Sequence, residues 1–443
     1  MVNTLYGGYS PAHPNNGQGD IVDRRTALRR TAASAFLAAL TIALAARPAF
    51  ADTPGAAKAA TALQQVLTQA VQRGDAPAAV GLVVDRNAVL FEGAAGKLND
   101  AGSLPVNAIF NIASMTKPVT SVAIMMLAEQ GKLSIEDPVS KYLPGFDKLQ
   151  VITHFNEKEG TYETRPAKTV MTLRHLLTHT SGIGYAFANP IVARLQQGNQ
   201  KLEWELPLLS DPGEQWHYSA STRVLGLVVE KVTGEDLETW YQAHILRPLG
   251  MVDTSYAVPK DKQSRVVTPL SHEKGQFAAR QNGPIPSTPT PPYRGDGGLY
   301  STARDYSLFI RMLLNGGHLG NVRILSEKSV QEMSRNQIGA VFVTQQPDAL
   351  PQLTRPFPLG AGHDKFGLGF QVTADTPDAH TYRRAGSLSW AGIFNTEFWI
   401  DPRSGLGGVL MLQFLPFYDD GAIRVLREFE ATTYRELASA KAP

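Results

Sequence analysis

The sequence predicts an α+β fold, an antiparallel sheet flanked by helices with a mainly helical domain inserted, and three observations predict it. Strand patterns stand at both ends of the chain, "AAVGLVVD" near residue 80 and "FNTEFWID" near residue 398. Between them the apolar periodicity is helical and repeatedly ends on glycine. Tight turns join neighbouring strands, Asp85-Arg86-Asn87 in the first half and Asp401 to Gly405 in the second, so the strands pair as hairpins. The expected organisation is residues 52–112 and 297–443 as two parts of one domain, with residues 113–296 inserted between them. A cleft between sheet and insertion is the natural place for a small-molecule site.

Taken in order, residues 1–51 read as an address. Arg24, Arg25, Arg29 and Arg30 precede the apolar run "TAASAFLAALTIALAA", and "AFA" before Asp52 fits a small-x-small cleavage site. Arg24 and Arg25 fit loosely to a twin-arginine export signal. The run is short for a membrane span, the alternative reading, so export with no stable span in the mature chain is expected. Residues 56–73 have helical periodicity, and the first hairpin follows. A helix with Ala123 to Gln130 as its apolar body stops at Gly131. "VMTLRHLLTHTSGI", "STRVLGLVVEKVTG" and "TARDYSLFIRMLLNGG" read as three further helices, the last with Thr302 and Asp305 spaced as a capping box. Residues 257–297, rich in Pro, Gly, Ser and Thr, read as a long surface connection. A final helix spans about 421–437.

Composition limits the function. The 443 residues carry 43% hydrophobic and 19% charged side chains and a net charge of +2, with no basic run, so nucleic acid is not an expected partner. With no cysteine, disulfides and thiolate ligands are excluded.

The stretch "NIASMTKPVT" holds the candidate chemistry. Ser114 stands at the start of an apolar helix, where free N–H groups and the helix dipole favour an attacking alkoxide and an oxyanion. Lys117 lies on the same helical face. It can act as base if burial lowers its pKa, and "VAIMML" supplies apolar surroundings. Pro118 denies the helix a regular first turn. A serine N-cap beside a surface lysine is the ordinary alternative. A second serine and lysine at this spacing, Ser271 and Lys274, lies in polar "PLSHEKGQ" and reads as a solvated loop.

Other signatures are absent: no G-x-S-x-G, H-E-x-x-H, P-loop or G-x-G-x-x-G opening a helix. His175 and His179 have i,i+4 spacing but no third ligand, so packed histidines are expected and no metal or organic cofactor is implied.

"SMTKPVT", "LRHLLTHTSGI", "PGEQWHYSAS", "GGLYSTARDY", "FGLGF" and "SWAGIFNTEFWIDP" occur in the order seen in the serine β-lactamase and penicillin-binding protein superfamily. The chain, over residues 60–430, most resembles family VIII carboxylesterases, which are similar to class C β-lactamases. The resemblance implies a β-lactamase-like fold with Ser114 as acylated nucleophile and Lys117 as base or proton relay. Tyr218 would match the second-motif tyrosine that shares the proton and protonates the leaving group. The oxyanion hole would be the backbone N–H groups of Ser114 and Ile393.

Two departures bear on substrate. The asparagine of the Tyr-x-Asn motif is replaced by Ala220, and the Lys-Thr-Gly motif by Trp390-Ala391-Gly392. A charge-assisted hydrogen bond of roughly 1.5 to 3 kcal/mol is thereby removed, which disfavours anionic β-lactams and D-Ala-D-Ala peptides. Trp390, beside Gly392, offers an apolar wall or serves as core, and Tyr185 and Phe187 would extend that wall. The expectation is an exported serine esterase for short-chain or small aromatic esters. A β-lactamase, a D-alanyl carboxypeptidase or transesterase, and a non-catalytic β-lactam sensor are the alternatives.

Overall fold

Helix α1 (Pro54–Gln72) buries Ala59, Leu63, Val66, Leu67 and Ala70, the stripe that a helical period produces. It opens the part of the chain that the structure, a computed structural model, describes: residues 54–99, 102–198, 200–374 and 382–438. The export segment expected at residues 1–51 lies outside them. No helix among the described residues is long and apolar enough to cross a membrane.

Strands β1 (Ala78–Asp85) and β2 (Val89–Gly96) form the first hairpin. Its turn is fixed by the Asp85 carboxylate, which accepts the N–H groups of Asn87 at 2.7 Å and Ala88 at 2.8 Å. Helix α2 (Thr116–Glu129) is buried from Thr116 to Leu127 without a solvent face, so it is a core helix. Helix α3 (Ser221–Thr233) ends on Gly234 in the left-handed conformation at φ 74°. Helix α4 (Ala303–Leu314) is capped by Thr302, whose side chain accepts the Asp305 N–H.

The last part of the chain supplies β3 (Lys365–Phe366), β4 (Gln371–Val372), β5 (Leu388–Gly392), β6 (Thr396–Asp401), β7 (Leu406–Met411) and helix α5 (Asp420–Thr433). The seven strands form one antiparallel sheet in the order β3-β4-β5-β6-β7-β1-β2. Thus β1 sits between its own hairpin partner and β7, with Val80 opposite Met411. One face carries α1 and α5, where Trp399 meets Phe429 at 6.0 Å between ring centroids; on the other, Phe398 meets Tyr306 of α4 at 5.1 Å. The α+β fold class, an antiparallel sheet flanked by helices, is therefore as expected.

Four local readings are corrected. Of "VMTLRHLLTHTSGI" only Leu173–Leu177 is helical. Beyond it the Thr178 hydroxyl bonds the Arg174 carbonyl at 2.8 Å and His179 turns left-handed at φ 57°, which stops the helix. The connection 257–297 contains a hairpin, Leu270–Glu273 with Gln276–Ala279, whose first strand pairs in parallel with Phe414–Leu415. Ser271 and Lys274 therefore belong to a hairpin and its turn. A second unforeseen hairpin, Gln150–Asn156 with Thr161–Pro166, lies within the mainly helical middle. Finally, the Asp305 carboxylate does not close a capping box; it accepts from the Asp253 N–H at 2.7 Å and the Thr254 hydroxyl at 2.9 Å.

Candidate active site

Ser114 occupies a 3₁₀ turn, Ala113–Met115, that leads directly into α2. Pro118 has no N–H for an α-helical bond at this point, so an irregular entry is what the sequence allows. Ala113 is held at φ 41°, an unfavourable conformation for an L-residue directly before the serine. Its N–H is fixed by the Asn111 side chain at 3.0 Å.

Three sequence-predicted residues converge here. Lys117 Nζ donates to Ser114 Oγ at 3.0 Å, and the Tyr218 hydroxyl donates to the same oxygen at 2.8 Å. Tyr218 comes from the loop before α3, and Lys117 Nζ lies 4.8 Å from its ring centroid. Lys117 is 2% exposed and also donates to the Asp296 carbonyl at 2.9 Å. Burial pushes the Lys117 ammonium down to about 7; the Asp296 carboxylate opposes this, and Arg294 and Arg223 add to it. An appreciable share of the amine is then neutral at neutral pH, able to accept a proton.

Behind the lysine lies a charge cluster that the sequence reading missed. Burial pushes the Asp296 carboxyl up, but Arg223, Arg294 and Lys117 together outweigh it and hold it well below the usual range. Arg223 Nε stands 3.1 Å and Arg294 Nε 3.2 Å from Asp296 Oδ1, and Tyr185 donates its hydroxyl to Oδ2. The only signal in the sequence was an acidic residue in a glycine-rich turn, "RGDGG", downstream of a proline run.

The other predicted residues divide. Trp390, Phe187 and Ile393 line, with Ser114 and Tyr218, a solvent-open cavity of about 890 Å³ of empty space. Trp390 is 7% exposed and packs at 5.0 Å between centroids on Tyr218, and also against Trp216 and Phe366, so it is wall and core together. Ile393 follows the last residue of β5. Tyr185 and Gly392 are not among the lining residues. Tyr185 stacks behind Phe187 at 4.8 Å with its hydroxyl turned to Asp296, and Gly392 lies against the Ile112 carbonyl, too close for a Cβ.

The two histidines are packing residues. His175 Nδ1 accepts the Thr172 N–H at 3.1 Å, and His179 Nδ1 pairs with Ser219 Oγ at 3.0 Å among aromatic rings. Burial, with Lys117 adding, holds His179 well below its ordinary pKa, so it is neutral.

A nucleophile candidate hydrogen-bonded by a partly neutral buried amine and a phenol, in a cavity walled by aromatic rings, can support acyl transfer. Comparison with known proteins points the same way. The family model described as Beta-lactamase matches residues 63–432. Esterase EstB of Burkholderia gladioli is 28% identical over 395 residues, covering 80% of this chain and 91% of its own. Monacolin J acid methylbutanoyltransferase of Aspergillus terreus is 26% identical over 416 residues, covering 87% and 98%. Among solved structures, the LovD6 mutant of simvastatin synthase from Aspergillus terreus superimposes with a TM-score of 0.72 at 26% identity, over 87% of this chain and 97% of that one.

Proposed function

Because the chain belongs to the beta-lactamase family, and its relatives with that fold include esterases and acyltransferases, we propose that it is a serine carboxylesterase acting on short-chain or small aromatic esters through an acyl-enzyme. The observation that carries this is the pair of hydrogen bonds converging on Ser114 Oγ, from Lys117 at 3.0 Å and Tyr218 at 2.8 Å.

In this reading Ser114 Oγ attacks the ester carbonyl carbon while its proton passes to the neutral Lys117 amine. The oxyanion that forms is met by the backbone N–H groups of Ser114 and Ile393. Tyr218, which shares the proton with Lys117, delivers it to the departing alkoxide as the carbon–oxygen bond breaks. Water then attacks the acyl-enzyme, gives up its proton to the same pair, and the acid leaves as Ser114 regains its hydrogen. An aromatic wall of Trp390 and Phe187 in place of a cation supports neutral esters over anionic β-lactams.

The test is a paired steady-state assay of the protein and its Ser114→Ala variant on a neutral short-chain aryl ester and a chromogenic cephalosporin. Ester turnover lost by about 10⁴-fold or more in the variant, with weak cephalosporin turnover, is the expected result. Faster cephalosporin turnover overturns it in favour of a β-lactamase. A second reading, transfer of the acyl group to an alcohol rather than water, is favoured by the likeness to the methylbutanoyltransferase. It is tested by adding a primary alcohol and measuring the new ester.

A further inference from the structure

The cavity that opens at Ser114 does not end in apolar side chains. It continues past β5 to the sheet face that carries α5, where Ser389, Glu397, Arg383, Glu430 and Arg427 line it. Glu397 is two residues from Trp399 on β6, so both side chains point to that face, and Trp399 packs on Phe429 of α5.

Most polar groups at this end are satisfied. Arg383 Nε pairs with Glu430 Oε2 at 3.0 Å, and Glu430 also accepts the N–H groups of Tyr382 at 2.9 Å and Arg383 at 3.0 Å. Asp364, another lining residue, accepts from Gln371 Nε2 at 2.6 Å and from the Ala374 N–H at 3.0 Å.

Two groups at this end lack a side-chain hydrogen bond among the described residues. The Glu397 backbone is paired within the sheet, but its carboxyl, only 7% exposed and attracted by Arg383, has no side-chain hydrogen bond among the described residues. The Arg427 Nε–H is also buried without a hydrogen-bond partner. A buried carboxyl and a buried N–H left unpaired each carry an uncompensated desolvation cost. Glu397 and Arg427 both line the same cavity, so a group bound there has both within its surroundings.

The chemistry of that group follows from its neighbours. Burial pushes the Glu397 carboxyl up to about 8, with Arg383 opposing and Glu430 adding to the rise. At neutral pH it mostly keeps its proton, and so both donates and accepts. An ammonium would face Arg383 and Arg427, and a carboxylate would face Glu397, Glu430 and Asp364. A hydrocarbon would leave both orphans as they are. A hydroxyl, uncharged and both donor and acceptor, suits them.

We propose that the inner end of the cavity is a hydroxyl-recognising subsite, where Glu397 and Arg427 hydrogen-bond a hydroxylated acyl or alcohol moiety of the ester cleaved at Ser114. This rests on the hydrolase reading given above.

The experiment compares kcat/KM for 4-nitrophenyl alkanoates with their ω-hydroxy counterparts, and for alkyl butyrates with ω-hydroxyalkyl butyrates. In one of the two series the hydroxylated ester should be favoured about tenfold, which identifies the moiety held. The ratio should fall to about one in Glu397→Leu and persist in Glu397→Gln, whose amide keeps a donor and an acceptor. Ratios near one throughout the wild type overturn the subsite while the hydrolase reading stands. Preference for an ω-ammonium ester over the ω-hydroxy one also overturns it. If no ester is cleaved, the hydrolase reading has failed and infrared spectroscopy decides the subsite alone. The protonated carboxyl band lost in Glu397→Gln should shift when linear alkanediols are added; an unshifted band overturns the proposal.

Discussion

The Tyr218 hydroxyl donates to Ser114 Oγ at 2.8 Å across 104 positions of sequence, while Lys117 reaches the same oxygen from one helical turn away. Ser114 Oγ is thus the meeting point of a local and a distant hydrogen-bond donor. Tyr218→Phe removes the distant one and keeps the ring packed against Trp390 and Phe357. Ester kcat should drop by about 10²- to 10⁴-fold with unchanged far-ultraviolet circular dichroism. Near-normal turnover would remove Tyr218 from the proton path.

The acid limb of the rate profile should report Lys117. Burial lowers its pKa to about 7 in the folded protein, and only the neutral amine accepts the Ser114 proton. Ester kcat/KM should therefore rise with pH through about 7 and level above it, with a limb absent from the residual rate of Lys117→Arg. A wild-type profile flat from pH 5.5 to 8.5 excludes this base.

Asp296→Asn tests the charge cluster behind the lysine. The carboxylate raises the Lys117 pKa, whereas Arg294 and Arg223 lower it. Without the carboxylate the ammonium becomes less favourable still, so the acid limb moves to lower pH. Two partly buried guanidiniums also each lose one partner, and stability should fall by about 3 kcal/mol by urea titration. An acid limb moved to higher pH contradicts the assigned sign.

Trp390→Leu separates wall from core. Loss of the ring opens space beside Tyr218 and Phe366, and KM for aryl esters should rise about tenfold, more than for alkyl esters of equal length. An equal loss on both ester types would make Trp390 a core residue only.

Export is read from residues 1–51 alone. Cell fractionation should recover a chain beginning near Asp52 outside the cytoplasm, and full-length protein retained in the cytoplasm would falsify the signal.

How much of this was legible depended on distance along the chain. The three-residue step from Ser114 to Lys117, the β1–β2 hairpin and the glycine-terminated helices are local patterns, and the sequence carries them directly. Tyr218 was reached only through linked motifs, because nothing near it announces a partner more than a hundred residues away. The cluster of Arg223, Arg294, Asp296 and Tyr185 left only the acidic turn "RGDGG" as a local trace, since its members come from separate loops and a helix and acquire meaning only when buried together. Tyr185 was read as a wall because it is aromatic; its hydroxyl, drawn to Asp296, turned it inward. The helix expected to end at Gly182 stops after Leu177, where a threonine hydroxyl and a left-handed histidine outweighed apolar periodicity. The polar 270–279 hairpin was hidden because its pairing partner, Phe414–Leu415, lies at the other end of the chain.

Placing β1 between β2 and β7 has a consequence for how the chain comes to be folded. The first hairpin is complete early, yet the strand that covers its inner edge is made more than three hundred residues later, when Met411 arrives opposite Val80. Until then an edge rich in valine and leucine stays open, and such long-range pairing is slow to close. The sheet therefore cannot close until β7 has been made, and until then the open edge of β1 is exposed to mispairing and aggregation.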